Sequence, residues 1–125
     1  MLNKKYLILL AEDDEFLQRM YSIKLESSGF SVVLASDGEE AIKKTKETNP
    51  DLALVDILMP KKDGFDVLKE LRADPKFKNL PIIVLTNLSE TEDIKRAKEL
   101  GSNEYIIKSH FLPSEVIDVI KKYLK

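Results

Sequence analysis

Four of the five apolar segments in the sequence are followed by a side chain that could take part in chemistry. An acidic triplet, residues 12–14, follows the first segment, Asp56 follows the third, and Thr86 and Lys108 follow the last two. Carboxylates that lie close together repel one another, and a bound cation relieves this repulsion. Oxygen-only ligands favour Mg²⁺, whereas zinc prefers cysteine sulfur or clustered histidines, which are lacking here. These residues therefore predict a Mg²⁺ site, provided that the fold brings them together.

The five segments that precede these residues, or lie between them, read as strands. Each is short and either wholly apolar or rich in β-branched residues, which is typical of strands buried on both faces of a parallel sheet. The predicted strands are residues 6–11, 31–35, 52–55, 82–85 and 105–107.

Amphipathic segments alternate with the predicted strands and carry apolar residues at helical spacing. A glycine or a proline follows each of the first four helical segments, and Pro113 lies early in the fifth, where proline is tolerated. We expect Ser89 to cap the fourth helix and to form a capping box with Glu92. The residues predicted to face the core are Leu17, Met20, Tyr21, Leu25, Ala41, Ile42, Thr45, Phe65, Leu68, Leu71, Ile94, Ala97, Leu100, Val116, Ile120 and Leu124.

This alternation predicts an α/β domain with a five-stranded parallel sheet, right-handed crossovers and helices on both faces. For five strands we expect the flavodoxin-like order 2-1-3-4-5. Ligands of such folds bind beyond the carboxyl ends of the strands, where the order reverses between strands 1 and 3. The acidic triplet and Asp56 follow these two strands, so the fold is expected to gather the candidate residues at one edge of the sheet.

A purely structural role is an alternative for each candidate. Asp13 or Asp14 could cap the helix after strand 1, and for that pair this explanation is as good as metal binding. Asp56 has no such explanation, because no helix is expected before Gly64 and the preceding strand is wholly apolar. Thr86 or Lys108 alone would be an ordinary residue, so it is their joint placement at strand ends that indicates a site.

Length and composition limit the classes of function. A chain of 125 residues with 43% hydrophobic residues suits one domain, residues 1–125, around one core. A net charge of −2, with acidic and basic residues interleaved, argues against a nucleic-acid or membrane partner. The absence of cysteine agrees with a cytoplasmic location. The apolar start of the chain is too short for a signal peptide, and no stretch is long enough to span a bilayer.

The candidate residues lie in four motifs that together resemble a known family. The motifs are Leu10-Ala11-Glu12-Asp13-Asp14, Val55-Asp56-Ile57-Leu58-Met59-Pro60 with Asp63-Gly64, Val84-Leu85-Thr86, and Tyr105-Ile106-Ile107-Lys108. In this order and at these intervals they resemble the receiver domain of bacterial response regulators, in particular the stand-alone, chemotaxis-type receivers, over essentially the whole chain. The resemblance implies a signalling switch of a two-component phosphorelay. It also implies that the protein is not an enzyme beyond self-catalysed phosphotransfer and autodephosphorylation.

The resemblance assigns roles to the acidic residues. Asp56 would accept a phosphoryl group from the phosphohistidine of a sensor histidine kinase or of a histidine phosphotransfer protein. Mg²⁺ would be held by Asp13, Asp56 and the backbone carbonyl of Leu58, with Glu12 acting through a metal-bound water.

These roles agree with the demands of phosphoryl transfer, which needs an in-line nucleophile and neutralisation of the charge on the equatorial oxygens. Asp56 supplies the nucleophile, while Mg²⁺ and the Lys108 ammonium bind two of the oxygens. The hydroxyl of Thr86 or a nearby backbone amide binds the third. Tyr105 resembles the aromatic residue that turns inward on phosphorylation, although a half-buried strand residue explains it equally well. The face that would change, and bind a downstream effector protein, is formed by helix 4, strand 5 and helix 5.

Several positions depart from the usual family pattern. Ser109 stands where the family usually has proline, often after a cis peptide bond. Because a cis bond before another residue type is costly, we expect a trans bond here. Asn87 replaces a small residue. Leu58 and Leu88 replace residues that are commonly polar, and these two leucines predict slow loss of the phosphoryl group. The lone His110 is expected to be a solvated loop residue.

Three alternative functions stay open at this point. A flavin protein of the same fold would need a glycine- or hydroxyl-rich phosphate loop after strand 1, where this sequence is acidic. A phosphatase with an aspartyl intermediate would carry a second carboxylate two residues after the nucleophile, where this sequence has Leu58. A receiver-like docking module that is never phosphorylated is kept open by Asn87 and Ser109. If the chain is complete, its output must be a partner protein.

Overall fold

The computed structural model describes residues 5–124, and its strands form one parallel sheet. The strands are β1 (Leu7–Ala11), β2 (Ser31–Ala35), β3 (Leu52–Val55), β4 (Ile82–Thr86) and β5 (Glu104–Ile107). Their order is β2-β1-β3-β4-β5, and every neighbouring pair is parallel. The predicted strands, their order and the fold class are confirmed. Strand β1 begins one residue later than predicted, β4 extends through Thr86, and β5 begins one residue earlier than predicted.

Five α-helices alternate with the strands, as expected. They are α1 (Glu15–Ser27), α2 (Gly38–Thr48), α3 (Gly64–Ala73), α4 (Thr91–Glu99) and α5 (Pro113–Tyr123). Two short 3₁₀ turns, Pro75–Phe77 and Lys108–His110, complete the regular structure. Within residues 5–124, none of these helices has the length and apolar character required to cross a membrane.

Two apolar layers enclose the sheet, one on each face. Helices α1 and α5 pack on one face through Leu25, Val116 and Ile120. Helices α2, α3 and α4 pack on the other, where Leu68 and Leu71 of α3 are fully buried. Burying a side chain of this size contributes roughly 1.5–3 kcal/mol. The two layers therefore hold the sheet rigidly, and the backbone at its carboxyl edge has a fixed position.

The prediction for the start of helix 4 is wrong. The helix begins at Thr91 after Glu90, whose backbone is extended, and no side chain caps it. Ser89 lies outside the helix and is exposed, so the capping box with Glu92 does not form. Glu92 and Asp93 instead lie in the first turn, where acidic side chains interact favourably with the helix dipole.

The C-terminal end of α4 is held by Arg72 of α3. Its Nε and Nη2 donate to the carbonyl oxygen of Gly101 at 3.0 and 2.9 Å, and Nη1 donates to the carbonyl of Phe77 at 2.6 Å. Near the middle of α4, the Arg96 guanidinium lies 4.1 Å from the centre of the Phe65 ring. Ala97 is the only residue of α4 that is fully buried. This helix is therefore attached to the fold mainly through its second half.

Candidate functional site

The carboxyl ends of β1 and β3 place two acidic residues side by side. Ala11 pairs with Val55 at the end of the β1–β3 ladder, and the next residues, Glu12 and Asp56, extend the backbone bonding. Asp56 N donates to Ala11 O, and Glu12 N donates to Ala35 O, both at 3.0 Å. The backbone of both acids is thus fixed by the sheet, although their side chains leave it.

Lys108 bridges the two acids. Its Nζ lies 2.5 Å from Glu12 Oε1 and 2.7 Å from Asp56 Oδ2. Glu12 is 2% exposed and Asp56 is 6% exposed, so these charges are largely removed from water. Buried charges are stable only when they are paired, and here one ammonium neutralises part of the charge of two carboxylates. The cluster therefore retains excess negative charge.

The protonation of this cluster follows from burial and from the ion pairs. Burial alone would lower the pKa of Lys108, but its hydrogen bonds and charge interactions with Asp56 and Glu12 outweigh this and raise it. Burial raises the pKa of Glu12, against the effect of the Lys108 hydrogen bond and charge. Lys108 consequently stays protonated at neutral pH and can offer its ammonium to an anion.

The second oxygen of Asp56 is held by backbone amides. Ile57 N donates to Asp56 Oδ1 at 2.7 Å, and Leu58 N lies 3.4 Å from the same oxygen. Gly64 lies against this loop, and its amide donates to Ile57 O at 2.9 Å. A Cβ atom at Gly64 would lie only 2.5 Å from the carbonyl oxygen of Asp56. The side chain of Leu58 points outward and is 59% exposed.

Three carboxylates in the site form a group that could hold a metal ion. One carboxylate oxygen each from Glu12, Asp13 and Asp56 lie within 4.8 Å of one another. Asp13 is exposed, whereas the other two are buried. A cluster that offers only oxygen atoms and has excess negative charge suits a hard cation such as Mg²⁺, which keeps several waters.

Thr86 and Tyr105 lie on the side of the site away from β1. Thr86 is fully buried at the end of β4, and its Oγ1 lies 3.4 Å from the amide nitrogen of Leu88. The hydroxyl of Tyr105 donates to the carbonyl oxygen of the same Leu88 at 2.7 Å. The ring is half-buried. Tyr105 is therefore linked to the segment that follows Thr86 and is not itself part of the acidic cluster.

The remaining acidic candidate and the histidine have ordinary positions. Asp14 caps α1, since its Oδ1 accepts from Leu17 N at 3.0 Å, which confirms the structural explanation for this residue. His110 is exposed in the turn after Lys108. No peptide bond in the part of the chain that the structure describes is cis, so the expected trans bond before Ser109 is confirmed.

The contacts of two side chains near the site were not predicted from the sequence. Gln18 donates from Nε2 to the carbonyl of Glu12 at 2.9 Å and to that of Ala35 at 3.3 Å, which ties the acidic loop to the end of β2. Its position one turn into α1 could have indicated this. Asn87 accepts a hydrogen bond from Ser109 N at 3.1 Å, whereas the sequence marks both residues only as departures from a family pattern.

The buried acidic cluster and its lysine lie at the carboxyl edge of a five-stranded parallel sheet of the flavodoxin-like class. The sequence matches the family model described as "Response regulator receiver domain" over residues 8–121, and the chain belongs to this family. Membership makes it a receiver domain of two-component systems, a signalling switch rather than a conventional enzyme. The flavin and phosphatase alternatives are left without support.

Known proteins agree with this assignment. The chain is 40% identical, over 99% of its length, to the Bacillus subtilis alkaline phosphatase synthesis transcriptional regulatory protein PhoP, of which it covers 50%. The chain thus spans about half the length of the curated relatives it matches. The structure of Vibrio cholerae chemotaxis protein CheY4 superposes with a TM-score of 0.90 at 27% identity, covering 97% of this chain and 100% of that one. A putative response regulator from Chloroflexus aurantiacus gives 0.90 at 32% identity, with coverages of 97% and 98%.

Proposed function

We propose that this protein accepts a phosphoryl group on Asp56 and responds by changing a surface that binds a partner. The observation that carries the proposal is the Asp56 carboxylate itself. It is nearly buried, lies 2.7 Å from the Lys108 ammonium, and shares its pocket with two further acids. A carboxylate in such a place is costly to bury, and nucleophilic catalysis gives it a function.

The reaction would transfer phosphorus from nitrogen to oxygen. A carboxylate oxygen of Asp56 forms the new O–P bond while the P–N bond of a phosphohistidine breaks, and the imidazole leaves with the electron pair of that bond. The donor is a sensor histidine kinase or a histidine phosphotransfer protein. Lys108 offers its ammonium to one equatorial oxygen, and the hydroxyl of Thr86 or a backbone amide serves another.

Glu12, Asp13 and Asp56 fit a bound Mg²⁺, with the backbone carbonyl of Leu58 as a further ligand. When bound, Mg²⁺ supplies the positive charge that Lys108 alone cannot provide for the oxygens of the transferred group. Asp13 would bind the ion directly, whereas Glu12, which is engaged with Lys108, would act through water.

The proposed switch runs through Thr86 and Tyr105. If the Thr86 hydroxyl moves to a phosphoryl oxygen on Asp56, the backbone of Leu88 moves with it, and the Tyr105 hydroxyl loses its acceptor at 2.7 Å. The ring is then free to turn inward. The phosphoryl group can shift this equilibrium only through its different contacts with the two states. The face that changes is formed by α4, β5 and α5, and an effector protein would bind there.

The decisive experiment for the phosphoacceptor is incubation with acetyl phosphate and Mg²⁺, followed by mass spectrometry of the intact protein. We expect one added phosphate on the wild type and none on Asp56→Asn, which keeps the size of the side chain but removes the nucleophile. Labelling of the Asn variant to the same extent would refute the assignment. A wild type that takes up no phosphate would favour the second candidate function, a docking module of the same fold that uses no phosphorylation.

The metal ligands are tested by titration with Mg²⁺. Asp13→Ala should weaken binding more than Glu12→Ala does, because a direct metal–oxygen bond is lost only in the first case. Equal losses would show that the two roles are assigned wrongly.

The switch is tested by hydrogen exchange with beryllofluoride and Mg²⁺, which should change the exchange rates of residues 86–108. Exchange rates that change only in the loops at 12–14 and 56–60 would contradict the switch and indicate a protein that carries the phosphoryl group without changing its partner-binding face.

A further inference from the structure

Two departures from the family pattern contact each other in the structure. Asn87 follows Thr86, and Ser109 follows Lys108. The backbone N–H of Ser109 donates to the side-chain oxygen Oδ1 of Asn87 at 3.1 Å. A proline at position 109 would have no N–H to donate, and a small apolar residue at position 87 would have no acceptor. The hydrogen bond therefore needs the Asn87 side chain and a residue other than proline at position 109.

This bond lies just beyond the end of the sheet. The last pair of the β4–β5 ladder is Thr86 with Ile107. Beyond this pair the two strands lead into different loops. The Asn87 side chain reaches across the gap and ties the second loop to the first. It adds one cross-link where the backbone ladder can no longer provide one.

Lys108 lies between the two fixed points. Ile107 is held in the ladder on one side, and the Ser109 amide is held by Asn87 on the other. The ammonium of Lys108 must reach both Glu12 and Asp56 in a pocket where its side chain is 9% exposed. A small displacement of its backbone would change both distances, because a buried side chain has little freedom to compensate.

We propose that Asn87 is a positioning residue, which holds the 108–110 turn through the Ser109 amide and so places the Lys108 ammonium for phosphoryl transfer to Asp56. The proposal rests on the proposed function for its effect on rate. The placement of the turn itself is independent of that function and can be measured separately. Asn87 does not touch the reacting atoms in this role.

Amide hydrogen exchange followed by NMR tests the placement. Replacing Asn87 with Ala removes the acceptor, and exchange at Ser109 should become about fivefold faster, as expected for the loss of one solvent-exposed hydrogen bond. Asn87→Asp keeps an oxygen in the same place and should retain slow exchange. Ser109→Ala removes the hydroxyl but keeps the amide, so exchange at position 109 should stay slow. The matched control is Asn79→Ala, an exposed asparagine remote in sequence from both loops.

The effect on chemistry is tested by a double-mutant cycle on the rate of phosphate uptake from acetyl phosphate. Asn87→Ala should slow uptake about fivefold in the wild-type background, because Lys108 is less well placed. In a Ser109→Pro background it should have no effect, since no amide is left to bind. Denaturant midpoints measured in parallel show whether any variant has lost its fold.

Each outcome decides one part of the proposal. Unchanged exchange at Ser109 in Asn87→Ala would overturn the positioning role, and so would equal slowing in the wild-type and Ser109→Pro backgrounds. Slower uptake only where the amide is present would support it. If the wild type takes up no phosphate, the proposed function fails, and the exchange experiment alone decides whether Asn87 holds the turn.

Discussion

Replacing Gly64 with Ala should reduce both stability and phosphate uptake, because the new methyl group would press on the backbone of Asp56, the proposed phosphoacceptor. The added Cβ would lie 2.5 Å from the carbonyl oxygen of Asp56 and 2.8 Å from the Cα of Ile57. Real Cβ atoms stay at least 3.0 Å from such neighbours, so the loop must open by about 0.5 Å. Neither neighbour can rotate away, since the oxygen and the Cα both belong to the backbone.

The expected loss of stability is about 1–3 kcal/mol, the usual cost of overpacking a rigid site. The better helix propensity of Ala at the start of α3 offsets less than about 1 kcal/mol of this. Urea unfolding should show a midpoint lower by roughly 1 M. A shift of this size in Asp56 should also slow uptake from acetyl phosphate by about tenfold, because orientation errors near 1 Å cost about a hundredfold.

Gly29→Ala separates the two effects. Gly29 has φ +96, and a Cβ there would have no heavy atom within 4 Å, so the variant introduces backbone strain, about 1–2 kcal/mol, without pressing on the site. It should lose stability and keep the wild-type rate of uptake. A folded Gly64→Ala protein that takes up phosphate at the wild-type rate would refute the link between this contact and the position of Asp56.

Three further predictions concern the loops and the tyrosines. Lys61 has φ +68, so Lys61→Gly should raise the urea midpoint and stabilise the fold by up to about 1 kcal/mol, whereas Lys61→Ala should not. The Leu58→Asn, Leu88→Glu double variant should release phosphate from the phosphorylated protein about tenfold faster than wild type, because polar side chains can orient a water; equal rates would contradict this. Burial raises the pKa of Tyr105 to about 12, so this tyrosine contributes stability that is present below pH 10 and lost as the pH rises through 12. An absorbance titration of Tyr105→Phe should lack one of the high-pKa phenols while Tyr123, also at about 12, remains.

The sheet could be predicted from the sequence because each strand is a short apolar run bounded by polar residues, a pattern that an amphipathic helix does not show. The apolar runs also predicted the position of Asp56 in the fold. A carboxylate directly after the fully buried Val55 has to lie at the carboxyl edge of the sheet. Parallel pairing then brought it beside the residues that follow β1. The local sequence pattern and the strand order therefore both predict that Asp56 lies beside the acidic residues after β1.

The start of α4 could not be predicted in this way. Ser89 and Glu92 have the spacing of a capping box, but the helix starts at Thr91, and its one fully buried residue, Ala97, lies in its second half. Tertiary packing overrides a local capping preference of about 1 kcal/mol. The Asn87–Ser109 hydrogen bond was also out of reach, because it joins residues 22 positions apart across two irregular loops. Neither residue alone indicates its partner.

The attachment of α4 to the fold has a mechanical consequence. The end of the helix near Gly101 is fastened by the fork of Arg72, which makes two hydrogen bonds to one carbonyl oxygen, and Arg96 lies on the ring of Phe65 one turn earlier. The opposite end has no side-chain cap and follows the loop after Thr86, in which Leu88 accepts a hydrogen bond from Tyr105. A helix that is held more firmly at one end than at the other is expected to move by swinging about the firmer end. We therefore expect displacements that begin beside Asp56 to be larger at Thr91 than near Gly101, with Arg72 as the pivot.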